Sequence, residues 1–223
     1  MSQARLPAAL AIGFVLAGDD VLAQATPGAP VPAMVADEQT ADEKAWSFTA
    51  SASAYLLPDE SDYGQPTIGA DRDWLHLEAR YQYEGLKTGS VWVGYNFSFG
   101  DEVALELTPM LGGVFGDTNG IAPGYKASLG WRKLDLSSES EYVFETGDSA
   151  DSFFYTWSEL GWTPVEWLRV GFVVQRTKVY QTEFEIQRGF LVGVAYKSAS
   201  FTSYVFNPDA DQPTLVLGLV LDF

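Results

Sequence analysis

The chain has 223 residues, 30 acidic against 13 basic, a formal charge of −17, 14% aromatic residues and no cysteine. So negative a chain repels nucleic-acid phosphates, which argues against a nucleic-acid partner. No apolar run long enough for a transmembrane helix follows residue 25, and the missing cysteines leave the redox compartment open.

Residues 1–25 read as a secretory signal peptide: Arg5 gives the positive start, Leu6 to Ala17 the apolar stretch, and Ala23-Gln24-Ala25 the small-x-small cleavage site. Asp19 and Asp20 are atypical there and leave the cut open by a few residues. Residues 26–45, rich in Pro, Ala and acids without periodicity, read as a disordered periplasmic linker. From residue 46 to Phe223 the hydrophobic period is two, with no 3.6-residue stripe.

This alternation predicts twelve strands, at 46–57, 63–71, 74–84, 90–99, 102–113, 124–132, 135–145, 152–162, 167–177, 184–197, 200–207 and 213–223. Pro66 weakens the second, because proline donates no ladder bond. With it included, the longer links 58–62, 85–89, 114–123, 146–151, 178–183 and 208–212 fall on one side and short links on the other. That is the pattern of an all-β, transmembrane, antiparallel up-and-down barrel with periplasmic turns and outer loops.

The third strand assigns the faces. Leu75, Leu77, Ala79, Tyr81 and Tyr83 share one, and His76, Glu78, Arg80 and Gln82 the other. A charged row facing hydrocarbon costs about 2–4 kcal/mol per Arg or Lys at the midplane, so the polar row points into the lumen. In the fourth strand Val91, Val93, Tyr95, Phe97 and Phe99 point outward. In the tenth, Phe190, Val192, Val194 and Tyr196 do. Trp46, Phe99, Trp131, Trp162, Tyr196, Phe201 and Phe223 would form a periplasmic girdle, and Tyr83, Tyr125, Tyr142 and Phe144 an outer one. Alternation alone leaves the eighth and eleventh strands ambiguous, though Glu159 orients the eighth. A soluble sandwich is the alternative, and it would face the charged rows to water.

The final strand, PTLVLGLVLDF, sets Leu215, Leu217, Leu219, Leu221 and Phe223 on one face. It resembles the last strand of bacterial outer-membrane β-barrels. That resemblance implies that Leu217, Leu219, Leu221 and Phe223 are read by the barrel insertion machinery. The segments LHLEARYQYE, VWVGYNFSFG, LTPMLGGVFGDTNGIAPG and VFETGDSADSFFYTWSEL resemble a family of small, porin-like proteobacterial outer-membrane proteins. The resemblance spans most of residues 46–223 and implies an outer-membrane barrel, but supplies no binding residues.

The predicted lumen-lining residues are His76, Glu78, Arg80, Gln82, Trp92, Asn96, Glu106, Lys126, Arg132, Glu139, Glu141, Tyr155, Trp157, Glu159, Arg169 and Gln175. With Asp222 and Lys197 added, acids and bases come near balance. A turn at Lys133-Leu134 would set Lys126 opposite Glu141, and Glu159 would meet Arg169 across its hairpin. Trp92, Tyr155 and Trp157 could stack on a sugar or aromatic solute, or simply fill volume. Glycines at 94, 112, 130, 161, 171, 189, 193 and 218 are expected to leave interior space.

Two function classes follow. One is a narrow channel for passive passage of small solutes; the other is a structural or interaction barrel whose lumen is closed by salt bridges. A third, a phospholipase-like enzyme, rests on His76 opposite Ser98 with Glu78 and Asn96 nearby. It is disfavoured because these groups face the lumen rather than lipid. No cofactor is expected. Expected partners are outer-membrane lipid and lipopolysaccharide, with divalent cations at loop carboxylates such as Asp59, Glu60, Asp62, Glu84, Asp117, Asp148, Asp151, Glu183, Asp209 and Asp211. The segment 116–120, GDTNG, is a partial calcium-loop match without the closing glutamate.

Overall fold

Alternating residues from 46 onward build an antiparallel sheet that closes on itself. The computed structural model describes residues 45–58, 61–146, 152–179 and 185–223. The expected signal peptide and nearly all of the linker lie outside the described residues, as do Asp59, Glu60, Asp148, Asp151 and Glu183. The strands are β1 (Ser47–Leu56), β2 (Tyr63–Arg72), β3 (Leu75–Tyr81), β4 (Thr88–Tyr95), β5 (Phe97–Phe99), β6 (Val103–Gly116) and β7 (Gly120–Trp131). They continue as β8 (Leu134–Glu145), β9 (Phe153–Val165), β10 (Leu168–Val179), β11 (Glu185–Tyr196), β12 (Ala199–Phe206) and β13 (Thr214–Asp222).

Apart from β4 and β5, which both pair with β6, each strand pairs with its chain neighbours, and β1 pairs with β13 to shut the barrel. Beyond that ladder, Phe48 N–H donates to Phe223 O at 2.8 Å and Phe223 N–H to Phe48 O at 3.0 Å. β4 and β5 are two parts of one crossing, for both pair with β6 in one register: Gly94 with Met110, Phe97 with Leu107. The ladder lapses between them where Pro109, which has no N–H, stands on β6. The barrel therefore has twelve crossings. Pro66 is accommodated in β2 because the ladder to β3 ends at Thr67, leaving Pro66 registered only with Ala52 of β1.

The two-residue turns at 73–74, 132–133 and 197–198 each begin with a left-handed residue, Asp73, Arg132 or Lys197. The outer links are longer, with one exception. The expected loop 114–123 shrinks to 117–119, because β6 runs to Gly116 and β7 begins at Gly120. Asn119 Nδ2 donates to Gly116 O at 2.7 Å across this hairpin, so GDTNG is a turn. Among the described residues no carboxylate group of a kind that could hold a metal ion occurs.

The exterior is apolar. Val91, Val93, Leu111, Phe172, Phe190, Val192, Val194, Leu219 and Leu221 are all exposed. The residues that alternate with them point inward, and Trp92, Met110, Val173, Leu191 and Val220 among them are buried. A barrel apolar outside and charged inside spans a membrane. Aromatic rings ring its periplasmic end, with Trp46 on Phe48 and Phe48 on Phe223 at centroid separations of 6.3 and 6.0 Å. Trp74 and Trp167 join this girdle and Tyr125 and Phe144 stand outward as expected, but Tyr83 leaves the outer girdle for the interior. The ambiguous strands resolve: Tyr155, Trp157 and Glu159 of β9, and Thr202, Tyr204 and Phe206 of β12, are buried inside.

Candidate functional site: the barrel interior

Three groups of side chains fill the interior. The first begins on β3, whose period of two buries His76, Glu78 and Arg80 behind an exposed outer row. Arg80 Nε donates to Glu78, its Nη1 to Glu141 Oε2 at 2.9 Å, and its Nη2 lies 2.6 Å from Glu139 Oε1. Glu139 and Glu141 belong to β8, four strands round the wall, so these contacts cross the lumen. Lys126 of β7 joins the group by donating to Glu78. Arg80 also lies over the Tyr83 and Trp92 rings, at 4.3 and 4.6 Å from their centroids.

Toward the periplasmic end His76 Nδ1 faces Asp71 Oδ1 at 2.8 Å. Asn96 Nδ2 donates to the same oxygen at 2.8 Å and its Oδ1 accepts from Thr108 Oγ1 at 2.7 Å. The second group centres on Arg169, which shares the inward parity of buried Val173 on β10. Its Nη1 donates to Glu159 Oε2 at 2.6 Å and its Nε to Asp135 at 3.1 Å. Glu159 Oε1 further accepts from Trp157 Nε1 at 2.8 Å and Tyr204 O–H at 2.9 Å. The third group is aromatic and aliphatic, on the β9 to β1 side: Tyr55, Tyr155, Trp157, Leu191, Tyr204 and Phe206, with Tyr83 packed against it. At the outer rim Arg188 Nη2 donates to Asp209 Oδ2 at 2.8 Å, and this hydrogen bond holds the Asp209 carboxyl below its usual range.

Of the predicted lumenal residues, the structure buries His76, Glu78, Arg80, Trp92, Lys126, Glu139, Glu141, Tyr155, Trp157, Glu159 and Arg169. Gln82, Asn96, Glu106 and Gln175 are half-buried. Arg132 is not lumenal: its left-handed turn residue throws the side chain outward, 71% exposed, over the Trp131 ring. Lys197 likewise leaves the lumen for the Tyr196 ring. Lys126 lies opposite Glu139, not Glu141, because the turn closes on Trp131 and Leu134. His76 faces Gly94, while Ser98 is exposed beside Glu106, so the hydroxyl and imidazole expected for catalysis are not brought together.

Several interior groups escaped the sequence reading. Asp135 shares parity with Ser137, Glu139 and Glu141, a signal that was present. Asp71 accepts from Asn96, and Glu84, expected at the edge of a solvated loop, is buried, with Oε1 accepting from Ser90 Oγ at 2.6 Å. The interior is therefore acid-rich rather than balanced. Nor do Gly94, Gly112 and Gly161 leave space. A Cβ on Gly112 would enter the Trp92 ring, one on Gly161 would meet Asp135 and Arg169, and one on Gly94 would meet Thr108 and Met110. These glycines seat large neighbours.

The barrel is similar to the KdgM porin, with a TM-score of 0.59 at 12% identity over 78% of this chain and 99% of that one. A second structure, of the KdgM porin in complex with disordered oligogalacturonate, matches to the same degree. The outer membrane protein Omp33 of Acinetobacter baumannii gives a TM-score of 0.46 at 10% identity, covering 80% and 98%. No protein-family model and no curated protein matches the chain. The class is thus a membrane-spanning antiparallel β-barrel with the fold of a porin.

Proposed function

We propose that this is an outer-membrane barrel that passes small solutes through a narrow lumen. The observation that carries the reading is the buried charged group of Glu78, Arg80, Lys126, Glu139 and Glu141 at mid-height. Replacing buried ion pairs by apolar side chains is often neutral or stabilising, so a barrel filled only for rigidity has no need of them. A polar solute crossing hydrocarbon depth does need such groups. Side-chain contacts across the lumen make the path narrow and its opening intermittent. The reading includes no catalysis.

The interior carboxylates of Asp71, Glu78, Glu84, Glu106, Asp135, Glu139, Glu141 and Glu159 exceed the cations Arg80, Lys126 and Arg169. Acid-rich walls favour cations and neutral solutes over polyuronates, so the oligogalacturonate of the KdgM complex is not carried over to this chain. Single-channel recording in planar bilayers tests the reading. Small, reproducible steps with a modest cation preference, strongest at low salt, are expected. The cross-lumen contacts of Arg80 and Tyr83 favour the second reading, a structural barrel with a closed interior. A folded protein that leaves the bilayer silent, and stays silent when its interior charges are substituted, would decide for it.

A further inference from the structure

We propose that the connection 82–87 is a strap that folds into the outer mouth and closes the lumen, with Glu84 as its latch. This rests on the channel reading.

β3 ends with Tyr81 facing outward, and the alternation would put Tyr83 outward too. Instead Gln82 adopts φ 58°, a left-handed conformation that turns the chain inward. Tyr83 then meets Tyr155 edge to face at 5.5 Å, on β9, five strands round the barrel wall. Glu84 is 6% exposed, and its Oε1 accepts from Ser90 Oγ at 2.6 Å and from Trp92 Nε1 at 3.2 Å, with Arg80 Nη1 3.8 Å away. A loop carboxylate has thus entered the middle of the ion cluster and carried an aromatic ring across the lumen with it.

The strap is also built to leave. It lies between two left-handed residues, Gln82 and Lys87 (φ 53°), with Gly85 between them, while Leu86 is 58% exposed at its tip. Hinges of this kind absorb their motion in a few backbone angles. Its base is tied to the wall, since Gln82 N–H donates to Thr88 O at 2.7 Å and Gln82 Nε2 to Gly64 O at 2.8 Å. Glu84, by contrast, is held by two side-chain hydrogen bonds that water at the mouth can replace and by a longer, 3.8 Å approach of Arg80. Swinging out would break no strand ladder, would remove the Tyr83 contacts with Tyr155 and Arg80, and would leave Arg80 held by Glu78, Glu139 and Glu141. The strap is therefore the part of the interior that moves most cheaply.

The cysteine-free chain offers a direct test. A Cβ on Gly85 would lie 3.9 Å from the Thr118 Cβ, within the span of a disulfide. Recordings compare the wild type, oxidised and reduced Gly85→Cys/Thr118→Cys, and Glu84→Ala, each shown to be folded by its heat-dependent gel shift. Oxidation should abolish the openings of the double-cysteine protein, and dithiothreitol should restore wild-type steps. Glu84→Ala should raise open probability roughly tenfold or more, the effect of losing a charge-assisted hydrogen bond. If the wild type conducts and neither the disulfide nor Glu84→Ala alters it, the strap is overturned and the channel reading stands. If every folded form is silent, the channel reading falls and the strap with it. A silent wild type beside a conducting Glu84→Ala supports both.

Discussion

Lys126 stands opposite Glu139 in the β7–β8 ladder, yet its ammonium donates to Glu78, on β3. The ion cluster is thus organised across the barrel rather than along a hairpin. Removing one partner of a buried pair leaves an uncompensated charge, a loss of about 3–5 kcal/mol. Lys126→Met and Glu78→Gln should each destabilise on that scale, and the double variant should lose less than the sum. Lys126→Met combined with Glu159→Gln, in the separate Arg169 group, should be additive to within about 0.5 kcal/mol. Urea unfolding of the barrel in phospholipid vesicles measures each single and double variant, and additivity for Lys126 with Glu78 would contradict the cross-lumen pair.

Trp92 is seated on Gly112, where any Cβ would enter its ring. Gly112→Val should therefore overpack the interior and cost about 1–3 kcal/mol. Trp92→Leu on that background should recover part of the loss. The same unfolding experiment measures it; an unaffected Gly112→Val barrel would mean that the interior is looser than described.

The lipid-facing row gives a depth-dependent expectation. Val192 is mid-strand on β11 and 52% exposed, whereas Tyr196 ends the strand among the periplasmic aromatics. Val192→Arg should cost about 2–4 kcal/mol in a bilayer and Tyr196→Arg about 0–1 kcal/mol. Equal costs at both positions would place the hydrocarbon slab elsewhere.

Phe223 completes β13 against Phe48, and its ring is exposed to the membrane side. If Leu217, Leu219, Leu221 and Phe223 form the insertion signal, Phe223→Ala should cut the assembled barrel in cells. Refolding of the purified chain into detergent should change little, because the backbone bonds remain. The heat-dependent shift on unboiled gels reads the folded fraction in both settings. A refolding defect as large as the cellular one would give Phe223 a structural role instead.

The sequence by itself determined the barrel, its twelve crossings and the faces of most strands. A side chain's face depends only on odd or even position, and a row such as Leu75, Leu77, Ala79 and Tyr81 against His76, Glu78 and Arg80 is legible within one strand. Register is different. Slipping a hairpin by two residues leaves every face unchanged, so nothing local distinguished Glu139 from Glu141 as the neighbour of Lys126. Arg132 and Lys197 left the lumen because a left-handed turn residue no longer obeys strand parity, and Tyr83 entered it after Gln82 for the same reason. Which charges meet inside was decided by closure of the sheet, because only a closed wall brings β3 within reach of β8 and β9 across the barrel.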